Sequence, residues 1–282
     1  MTPDEYRGAQ GSLFRDTIVL FLLVFRPLLR RQVSDREWNA LLRAIYPELY
    51  KRRRSSAISA RRFYDSERAK RAPKIPDMSR VGESSKVPLV TPPRHDISLP
   101  TYEPAWLEEA VRPYKRDFAE PDTPPEKLTE LAGTLAKQTL AGGRRAIING
   151  ASNDPIVRGW ARIEGGGESC AFCKTLISRG PVYSSANAAG FLGTKTDALQ
   201  ISGEFQGTGD ESGFSDDMMR RFHDNCDCLI VPVFDRASWP GRDQYQKYLK
   251  EYNDAQEWAR SHPGKGGRFA RLNNYRRYLA SA

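Results

Sequence analysis

Two cysteine clusters decide how this chain is read: Cys170-Ala-Phe-Cys173, and His223-Asp-Asn-Cys226-Asp-Cys228, which runs straight into Leu229-Ile-Val-Pro-Val-Phe234. All 4 cysteines of the chain, and one of its 3 histidines, lie in these clusters. Two thiols with two residues between them can grip one metal ion from a tight turn, and a second cluster arriving from a distant strand can complete a tetrahedron. Cys170, Cys173 and Cys228 are the firmer ligands, and His223 and Cys226 compete for the fourth place. The apolar run after Cys228 is bounded by a turn and reads as a buried strand. The expected picture is a knuckle, a long excursion rich in Gly, Ser and Asp, and a strand that returns beside the knuckle.

Disulfides and inert buried thiols are the competing readings. Disulfides are rare in a cytosol, and no secretory signal is evident in these residues. Neutral thiols have no reason to cluster this tightly. A catalytic zinc needs an open coordination position and a nearby base. Glu168, Asp224 and Asp227 are close in sequence, but no HExxH or HxE pattern accompanies them. The expectation is a structural zinc ion.

A length of 282 residues fits one large domain or two modest ones. The net charge of +9 and pI near 9.4 favour anionic partners, namely nucleic acid, an acidic protein or an anionic membrane surface. The apolar run Ile18–Phe25 is shorter than the ~20 residues of a spanning helix. Its positive cluster, Arg26, Arg30 and Arg31, follows the run, where a signal peptide would have it precede. A buried or subunit-facing helix is expected, with no membrane span and a cytoplasmic site of synthesis.

Going outward along the chain, a first helix is expected from Asp4 to about Arg31, ended or kinked by Pro27. Ser34-Asp-Arg-Glu37 has the capping-box pattern and should start a second helix, with Trp38, Leu41, Leu42, Ile45 and Leu49 at helical spacing. A basic segment follows: Lys51, Arg52, Arg53, Arg54, Arg61 and Arg62, interleaved with Ile58, Phe63 and Tyr64. It reads either as a surface for DNA phosphates or an acidic protein ring, or as a solvated helix face. Nearby glutamates that would neutralise it are not evident. Prolines then mark an extended linker.

Beyond the linker, Tyr102–Phe118 should be helical but broken at Pro104 and Pro113. Thr123 should cap the next helix with Pro124 at its first position, and Gly142-Gly143 should interrupt that helix. Gly165-Gly-Gly167 reads as a flexible turn, since no Lys-Ser/Thr follows to make a phosphate loop. Leu176–Tyr183 reads as a short strand broken at Gly180-Pro181, and residues 184–213 as loop. A helix from about Asp243 to Arg260 and a basic, aromatic tail close the chain. The fold class is α+β, with a helical N-terminal half, a Pro-rich linker and a small α+β C-terminal core carrying a zinc knuckle. The expected divisions are 1–72, helical and basic; 73–100, linker; 101–236, core; and 237–282, helical basic tail.

Gly159-Trp-Ala-Arg-Ile163, Cys170-Ala-Phe-Cys173-Lys-Thr-Leu-Ile-Ser-Arg-Gly-Pro-Val-Tyr183 and Phe222-His-Asp-Asn-Cys226-Asp-Cys228-Leu-Ile-Val-Pro-Val-Phe234 together resemble the MuF-like minor head proteins of tailed bacteriophages. They are most like the version found in phages of actinobacteria. The resemblance covers about residues 140–236. It implies a structural minor capsid or head morphogenesis protein, present in few copies in the virion and associated with portal and capsid proteins and with packaged DNA.

Some members of that family are labelled capsid maturation proteases, which makes proteolysis the alternative reading. A serine protease needs a nucleophile with a histidine base. Here His223 lies in the cysteine cluster, and His95 and His262 lie in Pro/Gly-rich surroundings. A pairing of His223 with Cys226 or Cys228 needs unusual local geometry, because these residues are near neighbours in the chain. A toxin-like ADP-ribosyltransferase, faintly suggested by Val182-Tyr-Ser-Ser185, lacks a matching glutamate motif and ranks last. No residue is assigned a catalytic role.

Overall fold

Short-range chemistry starts the helices where it is written. Thr2 accepts from the Glu5 amide (3.1 Å) while the Glu5 carboxylate accepts from the Thr2 amide (2.8 Å). This capping box opens helix α1, Pro3–Phe25. Pro27 then forces a 3-10 turn, Arg26–Leu28. The Ser34–Glu37 capping box forms as expected: Ser34 N–H donates to Glu37 Oε2 (2.9 Å) and Glu37 N–H to Ser34 Oγ (3.3 Å). It opens α2, Asp35–Arg71.

The structure is a computed structural model. It describes residues 1–71, 75–76, 89–90, 99, 101–152, 154–167, 169–181, 226–264 and 270–281. The remaining elements are β1 (Ile75–Pro76), β2 (Leu89–Val90), α3 (Pro104–Phe118), α4 (Pro125–Ser152), β3 (Gly159–Ile163), α5 (Ala171–Ile177), β4 (Leu229–Val233), α6 (Arg242–Ser261) and α7 (Ala270–Ser281). The chain is α+β and mainly helical. Antiparallel β3 and β4 form its central ribbon, with Gly159 opposite Val233 and Ile163 opposite Leu229. Both strands are buried along their whole length. His95, His223, residues 182–185, the loop at 184–213 and the tail residues Lys265 and Arg268 lie outside the described residues.

Several local expectations are overruled by packing. Helix α2 runs straight through Pro47, and α3 through Pro113. Helix α4 begins at Pro125, one residue later than Thr123 capping would place it, and the Thr123 hydroxyl donates to the Asp117 carbonyl instead (3.1 Å). It then continues through Gly142-Gly143 without interruption. Leu176 lies in the short helix α5, with Ile177, and not in a strand.

Helices α2 and α4 lie along each other and link two apolar clusters. One, around Phe25, Trp38, Leu42, Phe118, Leu131 and Leu135, joins α1–α4. The other, around Tyr6, Phe63, Tyr64, Ile147, Trp160 and Val231, seats the ribbon on the helices. Each fully buried Leu or Phe contributes about 1.5–3 kcal/mol of transfer free energy. These clusters therefore outweigh the helix-breaking preferences of single prolines and glycines.

Helix α1 with its following turn, Pro3–Leu28, is long and apolar enough by length and composition to cross a membrane. In the fold it lies against α4 and α2. Tyr6, Thr17, Phe21 and Phe25 face inward, whereas Val19 (56% exposed) and Leu23 (64%) face outward. Thr17 Oγ1 and Thr139 Oγ1, 3.3 Å apart, tie α1 to α4.

Candidate metal centre

Cys170 is the N-cap of α5 and Cys173 sits one turn inside it. Cys226 and Cys228 lie in the segment that enters β4. The ribbon register carries that segment past the end of β3 and up to α5. The Sγ atoms of Cys173, Cys226 and Cys228 all lie within 4.8 Å of one another, and those of Cys173 and Cys226 are 3.6 Å apart. All three thiols are buried, and all four cysteines are unbridged. Cys170 lies on the solvent side, its thiol hydrogen-bonded to that of Cys173. Ser169 Oγ is 4.0 Å from Cys228 Sγ.

The loop bearing Cys226 and Cys228 is held from two sides. The fully buried Arg144 of α4 donates through Nη2 to the Cys226 carbonyl (2.7 Å), and through Nε (3.0 Å) and Nη2 (2.8 Å) to the Cys228 carbonyl. From the other side Gly165 presses on Asp227, where an added Cβ would stand 2.0 Å from the Asp227 carbonyl oxygen. The Gly167 amide donates to Asp227 Oδ2 (2.7 Å). Gly165 and Gly167 thus make a close approach to Asp227, more than a merely flexible turn, whereas Gly166 has nothing within 4 Å of its added Cβ. Glu164 extends the brace by accepting the Tyr248 hydroxyl of α6, while its amide donates to Gln244 Oε1 (3.0 Å).

The electrostatics suit a soft cation. Hydrogen bonds from Cys173 and Cys228 push the Cys226 thiol below its ordinary range, and the guanidinium groups of Arg144 and Arg162 push it the same way. The Cys173 thiol is pushed up, first by its hydrogen bonds to Cys170, Cys226 and Cys228 and then by burial. Sulfur donors gathered around one point match a thiophilic ion that replaces the shared protons. The residues present fit such a metal.

Cys226 belongs to the sulfur cluster, together with Cys173 and Cys228; Cys170 adjoins it, and His223 lies outside the described residues. Sequence reasoning missed Arg144 and Arg162. For Arg162 a signal exists, since it is a charge inside the otherwise apolar strand Trp160-Ala-Arg-Ile163. Arg144 follows a glycine pair and carries no such mark.

The basic segment does not form one surface. Lys51, Arg54 and Arg62 are exposed. Arg52 pairs with Glu48 (2.8 Å) and Arg61 with Asp65 (3.4 Å). Arg53 turns inward: its Nη1 donates to the Gln138 carbonyl (2.7 Å) and its Cζ lies 4.3 Å from the centre of the Tyr102 ring. Arg53 is therefore a packing residue, and the segment has acidic neighbours after all. His262 stacks on Trp258 with centroids 4.2 Å apart.

A mainly helical α+β chain with this thiol cluster matches a known family of phage-encoded proteins. The chain belongs to the VG15 protein family, which matches residues 92–255. It is similar to the Gene 15 protein of Mycobacterium phage D29, at 34% identity over 236 residues, covering 80% of this chain and 78% of that protein. It is also similar to the Gene 15 protein of Mycobacterium phage L5, at 33% identity over 260 residues, covering 86% of this chain and 81% of that protein. No solved structure matches the chain.

Proposed function

We propose that this chain is a MuF-like minor head protein that works by binding. It is made in the host cytoplasm and built into the virion at the portal vertex, with portal and capsid proteins and packaged DNA as partners. A structural zinc ion in the cysteine cluster fastens its core. The observation that carries this reading is the buried thiol trio, which joins α5 to a segment 53 positions further along the chain. An ion there converts its binding free energy into folding free energy. Three buried sulfurs that face one another suit an ion better than attack on a peptide, because a reactive cysteine has to be accessible to its substrate. Binding therefore ranks ahead of proteolysis.

The test is quantitative mass spectrometry of procapsids and mature particles, with zinc measured on the same samples. An intact chain at low copy in mature particles, carrying zinc, is the expected result. A chain that is lost or cleaved on maturation while the coat protein is trimmed points to the protease instead. Absence from both particles overturns the head-protein reading.

A further inference from the structure

Resting on the metal reading above, we infer that the centre is an anionic tetrathiolate for a thiophilic divalent ion, completed by Cys170, with buried Arg144 and Arg162 as its built-in positive surround. Three described sulfurs already converge, so the open question is the fourth donor. Cys170 and Cys173 occupy the N-cap and third positions of α5. Side chains at these two positions meet, for the same geometric reason that a capping box closes on itself. Cys170 is the one thiol on the solvent side, already hydrogen-bonded to Cys173, and a turn of its side chain brings a fourth sulfur to the other three.

Charge favours the same donor. A dication with three thiolates and an imidazole carries one negative charge, and with four thiolates two. Arg144 is fully buried and donates to the carbonyls of two ligand residues. Arg162 is also buried, on β3 opposite Ile230, two residues beyond Cys228. Two buried cations beside the sulfurs stabilise a more negative donor set. Asp227 is the acidic residue within the loop, and its Oδ2 is occupied by the Gly167 amide. Loading the ion releases the remaining thiol protons to solvent, and no electron is transferred.

The experiment substitutes Co2+ for zinc in the full-length protein and reads its absorption spectrum, which distinguishes four sulfur donors from three sulfurs and a nitrogen. The wild-type chain should show the four-sulfur spectrum, and His223→Asn should leave it unchanged. Cys170→Ser should weaken charge-transfer absorption, shift the d–d bands to shorter wavelength and lower zinc affinity. A three-sulfur wild-type spectrum that responds to His223→Asn and not to Cys170→Ser overturns the Cys170 assignment while leaving the metal reading standing. Failure of the wild-type protein to bind zinc or cobalt at all overturns the metal reading itself.

Because the wild-type spectrum decides the donor count, the test does not depend on a variant folding. For the surround, Arg162→Gln should loosen zinc about tenfold to a hundredfold in chelator competition, and Arg162→Lys should restore it. Equal affinity in all three proteins removes Arg162 from the assignment.

Discussion

Gly142 of α4 lies directly against Arg53 of α2, and an added Cβ would stand 2.2 Å from the Arg53 carbonyl oxygen. The next residue repeats the contact, as the Gly143 amide donates to Ser56 Oγ (3.0 Å). Two helices meet here backbone to backbone. Gly142→Ala therefore forces the pair apart and should cost about 3 kcal/mol or more. Gly8 on α1 has nothing within 4 Å of its added Cβ, so Gly8→Ala should stabilise by up to about 1 kcal/mol. Urea unfolding of both variants checks this, and midpoints that move in the same direction would contradict the close approach.

Arg68 and Asp154 form a buried pair between α2 and the chain just past α4, with Nε to Oδ2 at 2.5 Å, and Tyr64 donates to the same oxygen (2.9 Å). Removing one partner of a buried pair typically costs about 3–5 kcal/mol. Asp154→Asn should fall in that range and Tyr64→Phe should cost about 1 kcal/mol. The double variant should lose less than the sum, because both residues serve one oxygen. Strict additivity in a denaturation cycle would show that the network is not shared.

The basic segment should divide by exposure. Lys51→Ala, Arg54→Ala and Arg62→Ala should weaken association with DNA or an acidic partner, and most at low salt. Arg53→Ala should instead lower the melting temperature, since it removes the bond to Gln138 and the contact with Tyr102. Association of the triple variant that matches wild type at every ionic strength would end the electrostatic reading.

Acid should loosen the start of α2. The Glu37 carboxyl is held below its ordinary range by the Ser34 amide first, then by the Ser34 hydroxyl and by Arg31. A lowered folded-state value means that the contribution is present above the unfolded value, about 4.3. It is lost as pH falls through the folded one. The protection factor of the Trp38 amide, its exchange rate relative to an unstructured chain at the same pH, should therefore fall below about pH 4 in the wild type, and Glu37→Gln should flatten that dependence. An unchanged pH profile in the variant would assign the acid response to another group.

Much of this fold is legible in the sequence. Ser34 and Glu37 form the capping box that their spacing implies, and Pro27 turns the chain where a proline should. Leu229–Val233 is the buried strand that its apolar run describes. Gly142-Gly143 misled because a glycine pair weakens an isolated helix, yet here it is what lets α4 touch α2. Arg53 misled because its neighbours in sequence are exposed, whereas helical periodicity turns this one position toward Gln138 and Tyr102.

The amino-acid sequence by itself determined the start of α2, the gathering of all four cysteines into two short segments and the buried strand, because capping and local apolar runs act over a few residues. Only the tertiary structure decided that Cys173 meets Cys226 and Cys228, that Arg144 grips their carbonyls, and that Gly165 lies on Asp227. Those contacts join segments dozens of residues apart, and their geometry depends on how the ribbon seats on α4, which no local pattern encodes.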